Sequence, residues 1–479
     1  LSADPEAEIA AWFEERSDRA IETSCARVFL QGETAFKVKR WVEYGFLDYS
    51  TLEKRRWAVT RELDFNRATA PDIYRRTRRL TRSADGGFEL DGPGEEVEAV
   101  LEMRRFDPDA VLSAQPEAVD GPLAEALGRA IAGFHAEAEA RPDGGGAGAL
   151  GYTIHSNAEV MRGLGPGIDQ ARAERLIAAT TAEFARRAPL LEARRAAGLG
   201  RRCHGDLHLG NILLEAGRPV IFDCIEFNDR LSEIDVQYDL AFTLMDLDFR
   251  GRRDAAVRLL TAWLDEAARR FPQGRLEGLA ALPLMLSVRA AVRAHVLAHA
   301  GDAAGANAYL DAALAHLAPP APRLMAVGGL SGTGKTTYAR KAAPGFGASP
   351  GAVVLRTDEI RKRMAGVGPD EPLSRDVYTP EFYEAVYEAF FADAAAALAA
   401  GRSVVLDATF VQPALRARAE AVAREAGAPF EGVWLEGDPK LLAARIEGRA
   451  KDASDATVET LKMQLELDLG EIAWRRTPA

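Results

Sequence analysis

The 479-residue sequence carries 60 basic against 72 acidic side chains, a net charge of −12, with 47% apolar and 28% charged residues. At roughly 100–200 residues per domain this is a globular chain of several domains, and its acidity argues against a non-specific binder of nucleic acid or anionic membrane. Three scattered cysteines, Cys25, Cys203 and Cys224, exclude a disulfide framework and a cysteine-based zinc site.

The N-terminal residues Asp4, Glu6, Glu8, Glu14 and Glu15 are the opposite of a basic signal-peptide start. No run approaches the ~18 uninterrupted apolar residues of a membrane span. A cytoplasmic protein with no membrane partner is expected. Val28–Leu30 and Ala35–Val38 flank the polar turn Gln31-Gly32-Glu33-Thr34, which predicts a hairpin. A helical stretch follows around Trp57, Leu63 and Phe65. Leu80, Phe88–Leu90 and Val97–Met103 then read as strands broken by Asp85-Gly86-Gly87 and Asp91-Gly92-Pro93-Gly94. A mixed sheet with one helix is the simplest expectation for this part.

From Pro122 to Leu317 the pattern is helical, interrupted by Gly144-Gly145-Gly146 and by one strand-like island from Cys203 to Cys224. That island reads His204-Gly205-Asp206-Leu207-His208-Leu209-Gly210-Asn211, then Ile212-Leu213-Leu214, a turn, and Val220-Ile221-Phe222-Asp223. A hairpin of this kind brings Asp206, Asn211 and Asp223 to one point. An acceptor hydroxyl needs a carboxylate base, and Mg²⁺ needs hard oxygen ligands such as Asn and Asp.

The pattern resembles the aminoglycoside phosphotransferase family, relatives of the protein kinases. That resemblance implies Asp206 as catalytic base and Asn211 and Asp223 as Mg²⁺ ligands. In Ala35-Phe36-Lys37 it implies a lysine on the α/β-phosphates; Lys39, on the same strand face, is the rival. Glu62 is then the ion-pair partner, with Glu53 second. Glu102 and Met103, in the strand Val100–Met103, would border the adenine. The glycine-rich loop of protein kinases is absent, and Glu22-Thr23-Ser24-Cys25-Ala26 stands in its place.

A proline cluster, Ala318-Pro319-Pro320-Ala321-Pro322, ends the helices. Beyond it, Leu324–Val327, Val353–Leu355, Val404–Leu406 and Val433–Leu435 alternate with helical segments, which predicts a parallel sheet with crossover helices. Gly329-Leu330-Ser331-Gly332-Thr333-Gly334-Lys335-Thr336 fits the phosphate-loop pattern at every position, between a strand and a helix opening at Thr337. The glycines let backbone N–H groups converge on phosphate oxygens without Cβ obstruction, Ser331 and Thr333 are further residues of the cofactor-binding loop, Lys335 neutralises the β/γ-phosphates and Thr336 holds Mg²⁺. Asp358 ends the next strand where it can take an acceptor proton or cap a helix. Asp407 is a second carboxylate near Mg²⁺. Arg445 and Arg449, four apart on one helical face, clamp the transferring group or form a solvated face.

This segment resembles the small P-loop kinases: gluconate kinase, chloramphenicol phosphotransferase, zeta toxins and the kinase module of polynucleotide kinase. Asp358 with Arg361 is similar to the Asp-x-x-Arg of the last, which implies a base and a substrate contact. The expected fold class is α/β and α+β. An aminoglycoside phosphotransferase-like, two-lobed domain spans 1–318 (N-lobe about 20–103, C-lobe about 104–318), and a P-loop kinase with a parallel sheet and flanking helices spans 323–479. The expected activity is transfer of the γ-phosphoryl group of ATP or GTP, with Mg²⁺, to a small-molecule hydroxyl at each of two sites. The alternatives are a polynucleotide 5′-hydroxyl kinase in the second domain, lined by Arg361, Lys362, Arg363, Arg416 and Arg418, or one domain acting as a regulatory nucleotide-binding module.

Overall fold

The computed structural model describes residues 4–44, 47–271, 273–448 and 454–479. The chain separates into two compact units, Leu1–Ala118 with Arg201–Ile234, and Val119–Gly200 with Asp235–Ala479.

In the first unit, Thr34–Lys39 alternates two faces. Phe36 and Val38 point to one side, Ala35, Lys37 and Lys39 to the other. Six strands form its sheet in the order Arg19–Glu22, Ala26–Gln31, Thr34–Lys39, Glu95–Arg104, Tyr74–Arg82, Phe88–Leu90. Every pairing is antiparallel. This corrects the mixed sheet expected from sequence: the hairpins and the long return through Leu52–Arg67 leave only antiparallel neighbours. There are also two helices rather than one. Pro5–Glu14, capped by Asp4 accepting from the Glu6 amide at 3.0 Å, buries Ile9, Ala10 and Phe13. Phe13 stacks on Phe29 at 4.9 Å, so this helix covers the Phe36 face. Its acidic surface hid the apolar stripe.

The other face packs Ala35, Leu63, Tyr74, Leu101 and Met103 with Leu213 and Phe222. Leu213 comes from a hairpin, Ile212–Glu215 against Arg218–Ile221, in register Ile212 with Ile221, and Phe222 directly follows its second strand. The hairpin thus lies beneath the lysine-bearing face of the sheet.

In the second unit, helix Val236–Phe249 is buried along most of its length. Asp235 caps it through the Gln237 amide (2.8 Å) and accepts from Nε and Nη2 of the buried Arg194, each at 2.7 Å. Asp239 meets His135 Nε2 at 3.1 Å. Segment Glu277–His299 is long and apolar enough to cross a membrane by length and composition, yet 67% of its apolar window is buried in the protein.

Beyond the prolines, five parallel strands run in the order Val353–Arg356, Val404–Asp407, Leu324–Gly329, Phe430–Glu436, Arg475–Pro478. The first four match the apolar runs. The fifth, Arg-Arg-Thr-Pro, is an edge strand without an apolar signature. Val257, from helix Arg253–Arg270, belongs to the same core as Met325, Val327, Ala339 and Val433. Arg253 Nε donates to the Pro350 carbonyl at 2.7 Å. The P-loop sheet is therefore packed against a helix that precedes the proline cluster.

Candidate active sites

Lys37 and Lys39 stand two residues apart on one strand face, and Glu62 from helix Leu52–Arg67 reaches both. Its Oε1 lies 2.6 Å from Lys37 Nζ and its Oε2 2.7 Å from Lys39 Nζ. Each lysine has a second carboxylate: Asp223 Oδ1 at 2.7 Å for Lys37, Glu226 Oε1 at 2.5 Å for Lys39. Glu53 is exposed and takes no part. Burial by itself would lower both lysines, but the facing carboxylates outweigh it and hold them well above the ordinary range. For Glu62 burial would raise the pKa, and the two lysines overcome that and hold it below the usual carboxylate range. The difference between the lysines is position. Lys39 is sealed in, with Tyr49 also donating to Glu226 at 2.6 Å, whereas Lys37 touches the partly exposed Asp223.

Asp223 has φ +64°, a conformation that costs a non-glycine residue energy and clusters at functional sites. Its amide donates to the Tyr74 hydroxyl at 3.1 Å, which fixes the turn just after the hairpin. The hairpin also brings in the preceding loop. Phe222 N donates to the Asn211 carbonyl at 3.1 Å, and the buried His204 donates from Nε2 to the Phe222 carbonyl at 2.8 Å. His204 Nδ1 accepts from the Asp206 amide at 3.2 Å, so these bonds assign the Nε2–H tautomer. Gly205 (φ +86°) is required here, because a Cβ would lie 2.7 Å from the Leu231 carbonyl. Asn211 Nδ2 donates to the Asp206 carbonyl at 2.8 Å and to its Oδ2 at 3.0 Å, which leaves the amide oxygen for another partner. Asn211 and Asp223 thus present hard oxygens suited to Mg²⁺ beside the carboxylate of Asp206.

Met103 lies in the apolar cluster with Ala35, Leu213 and Phe222, against which Ile21 and Val28 pack. These walls suit a flat base. Leu213, Phe222, Ile21 and Val28 carried no motif in the sequence; only the sheet register brings them together. Glu102 points to the opposite face, with Arg76 and Arg78 each 3.1 Å from its Oε2. Any part it plays toward a base runs through its backbone.

In the second unit the phosphate loop follows strand Leu324–Gly329 and opens helix Lys335–Ala342. Gly334 (φ +79°) is the left-handed residue at the helix start, and a Cβ on Gly332 would lie 2.6 Å from the Leu442 carbonyl. Thr333 Oγ1 and Lys335 Nζ donate to the Leu330 carbonyl at 2.7 and 3.0 Å, while Thr337 is exposed at the helix start. Thr336 Oγ1, in the first turn of the helix, donates to Asp407 Oδ2 at the end of its strand at 2.6 Å, which unites the two residues expected at Mg²⁺ from positions 71 apart. A hydroxyl and a carboxylate are the oxygen donors Mg²⁺ takes.

Two residues missed in the sequence complete this site. Arg356 Nε lies 3.4 Å from Asp407 Oδ2, and Gln464 Oε1 accepts from the Ser331 amide at 2.8 Å. Neither sits in a recognisable motif. Asp358, in the first turn of helix Thr357–Met364, pairs with Arg361 at 2.7 Å. Arg445 is exposed and lies 3.5 Å from the Ala479 carbonyl rather than on the phosphate loop. Arg449 lies outside the described residues. Of the five basic residues of the polynucleotide alternative, Lys362 and Arg416 are buried on backbone carbonyls, Arg363 is held by Asp393 at 3.1 Å, Arg361 by Asp358 at 2.7 Å and Arg418 by Glu425 at 3.0 Å.

Residues 49–274 match the family described as "Phosphotransferase enzyme family", and residues 324–467 the family described as "AAA domain". Over 455 residues the chain is 32% identical to "Uncharacterized protein Rv2004c" of Mycobacterium tuberculosis, covering 91% of this chain and 87% of that protein. A gluconokinase from Sinorhizobium meliloti 1021 is 22% identical with a TM-score of 0.22, covering 33% of this chain and 82% of its own. Choline kinase from Cryptosporidium parvum Iowa II is 11% identical with a TM-score of 0.40, covering 66% of this chain and 94% of its own.

Proposed function

The chain belongs to the family that joins a phosphotransferase-family domain to a P-loop domain of the AAA type, and from that premise we propose that it works as a bifunctional kinase with one Mg·ATP site in each domain. It is an ATP-dependent kinase with two kinase-type domains. Our reading divides it at the proline cluster, into 1–318 and 323–479, and gives each domain a small-molecule hydroxyl acceptor in preference to a nucleic acid, with no membrane partner. We place the protein in the cytoplasm.

At the first site Lys37 binds the α/β-phosphates, with Glu62 fixing its position, and Asn211 and Asp223 hold Mg²⁺. Asp206, held by Asn211, accepts the acceptor's hydroxyl proton. At the second, the loop amides of 332–336 and Lys335 bind phosphates, Thr336 and Asp407 hold Mg²⁺, and Asp358 receives the proton while Arg361 orients it. Bound Mg²⁺ would supply charge neutralisation at the β- and γ-phosphates in both. The observation that carries this reading is that Lys37 touches Asp223, Asn211 touches Asp206, and the amide of Phe222, the residue before Asp223, bonds the Asn211 carbonyl, which ties the nucleotide, metal and base residues of the first site together. ATP consumption against a panel of sugars, aminoglycosides, nucleosides and oligonucleotides tests it. Asp206→Ala should abolish turnover with one set of acceptors and Lys335→Ala with another.

A further inference from the structure

The carbonyl of Leu330 and the amide of Ser331 belong to one peptide unit of the phosphate loop, and both of its polar edges are held. On the carbonyl side, Thr333 Oγ1 donates at 2.7 Å and Lys335 Nζ at 3.0 Å. On the opposite side, the Ser331 N–H donates to Gln464 Oε1 at 2.8 Å. A trans peptide is planar, with its N–H and C=O pointing in opposite directions, so whatever fixes one edge fixes the other.

The loop by itself leaves this plane free to turn. Gly329 precedes Leu330 and Gly332 follows Ser331, and glycine lacks the Cβ that would restrict the flanking dihedrals. Ser331 is only 5% exposed, so its N–H needs a protein acceptor rather than water. Gln464, 133 positions further along the chain, is that acceptor.

Gln464 stands on helix Val458–Leu465, whose start is capped reciprocally by Thr457 and Thr460. Leu461, three residues earlier and on the same helical face, is buried, whereas Met463 and Leu465 are exposed. The face that carries Gln464 is therefore the one turned to the protein. Among the described residues, the Ser331 amide is the one hydrogen-bond partner of its side chain.

We propose that Gln464 is a positioning residue of the P-loop site. By accepting the Ser331 N–H it sets the Leu330–Ser331 plane. The Leu330 carbonyl then aims the Lys335 ammonium, and Lys335 meets the β- and γ-phosphates. The glutamine acts through the lysine and not on the nucleotide. The inference rests on the Mg·ATP reading of this site. Loss of the glutamine oxygen lets the peptide turn and draws the ammonium away from the γ-phosphate, while the loop amides of 332–336 keep their hold on the β-phosphate. ATP should therefore lose more affinity than ADP.

The test uses the full-length chain with Lys37→Met, which removes nucleotide binding at the first site, and titration calorimetry with Mg·ATP and Mg·ADP. Gln464→Met keeps the length of the side chain and removes the acceptor. Gln464→Asn keeps the carboxamide and is one carbon too short to reach the loop. Each should weaken Mg·ATP by about tenfold or more, and by at least about three times as much as Mg·ADP. Should one variant fail to fold, the other carries the test. A smaller loss of Mg·ATP affinity, or a ratio of the two losses below that threefold, overturns the inference. Absence of Mg·ATP binding in the Lys37→Met chain with Gln464 intact instead overturns the nucleotide-site reading beneath it.

Discussion

Lys37 and Asp223 stand 186 positions apart in the sequence and meet at 2.7 Å. Lys39, two residues along the same strand, reaches Glu226 and shares Glu62 but is buried beyond solvent. The two lysines are thus chemically alike and functionally different. Lys37→Met should lower kcat/KM at the first site by about 10²–10³ with a modest loss of stability. Lys39→Met, which strands two buried carboxylates around one remaining cation, should cost about 3–5 kcal/mol of folding stability. Paired denaturant titrations and initial rates distinguish them. Equal effects of both changes on rate and stability would show that the assignment of Lys37 is wrong.

Asp206→Asn should leave nucleotide affinity at the first site near wild type while lowering turnover by about 10²–10⁴, because the proton acceptor is lost and the Asn211 contact persists in altered form. The measurement is acceptor phosphorylation in a Lys335→Ala background, so that only one site reports.

Thr336→Val keeps the branched shape and deletes the hydroxyl that meets Asp407. The Mg²⁺ concentration for half-maximal activity at the second site should rise by about 10–100-fold. Magnesium titration at fixed ATP reads this directly, and an unchanged midpoint would remove Thr336 from the metal site.

His295 is lowered to about 4 by burial and by the neighbouring His299. Its unfolded value is about 6.5, so between these pH values the unfolded chain binds the extra proton. The stability present above pH ~6.5 is therefore lost as pH falls through that window, at about 1.4 kcal/mol per pH unit. His295→Gln should reduce this slope in urea unfolding between pH 7 and pH 5 and leave the part owed to His316, which burial also lowers to about 4.

The sequence made most of this legible where local chemistry is demanding. The phosphate loop needs its glycines at Gly332 and Gly334, and the His204–Asp223 hairpin needs a left-handed Gly205, so both stood out. Glu62 was legible as the lysine partner because it lies on the helix directly after the strand. What was hidden depends on packing across the chain. The helix Pro5–Glu14 reads as an acidic tail until Phe13 finds Phe29. Arg356 and Gln464 matter only through contacts made by distant elements. Val257 reads as one more apolar helical residue, and only the fold shows it in the core of the P-loop sheet.

The account's central claim is two separate nucleotide sites on one chain, and titration calorimetry with Mg·ATP tests it most directly. The wild type should bind two nucleotides, Lys37→Met and Lys335→Ala one each, and the double variant none. A wild-type stoichiometry of one, or a single substitution that abolishes both binding events, would contradict it.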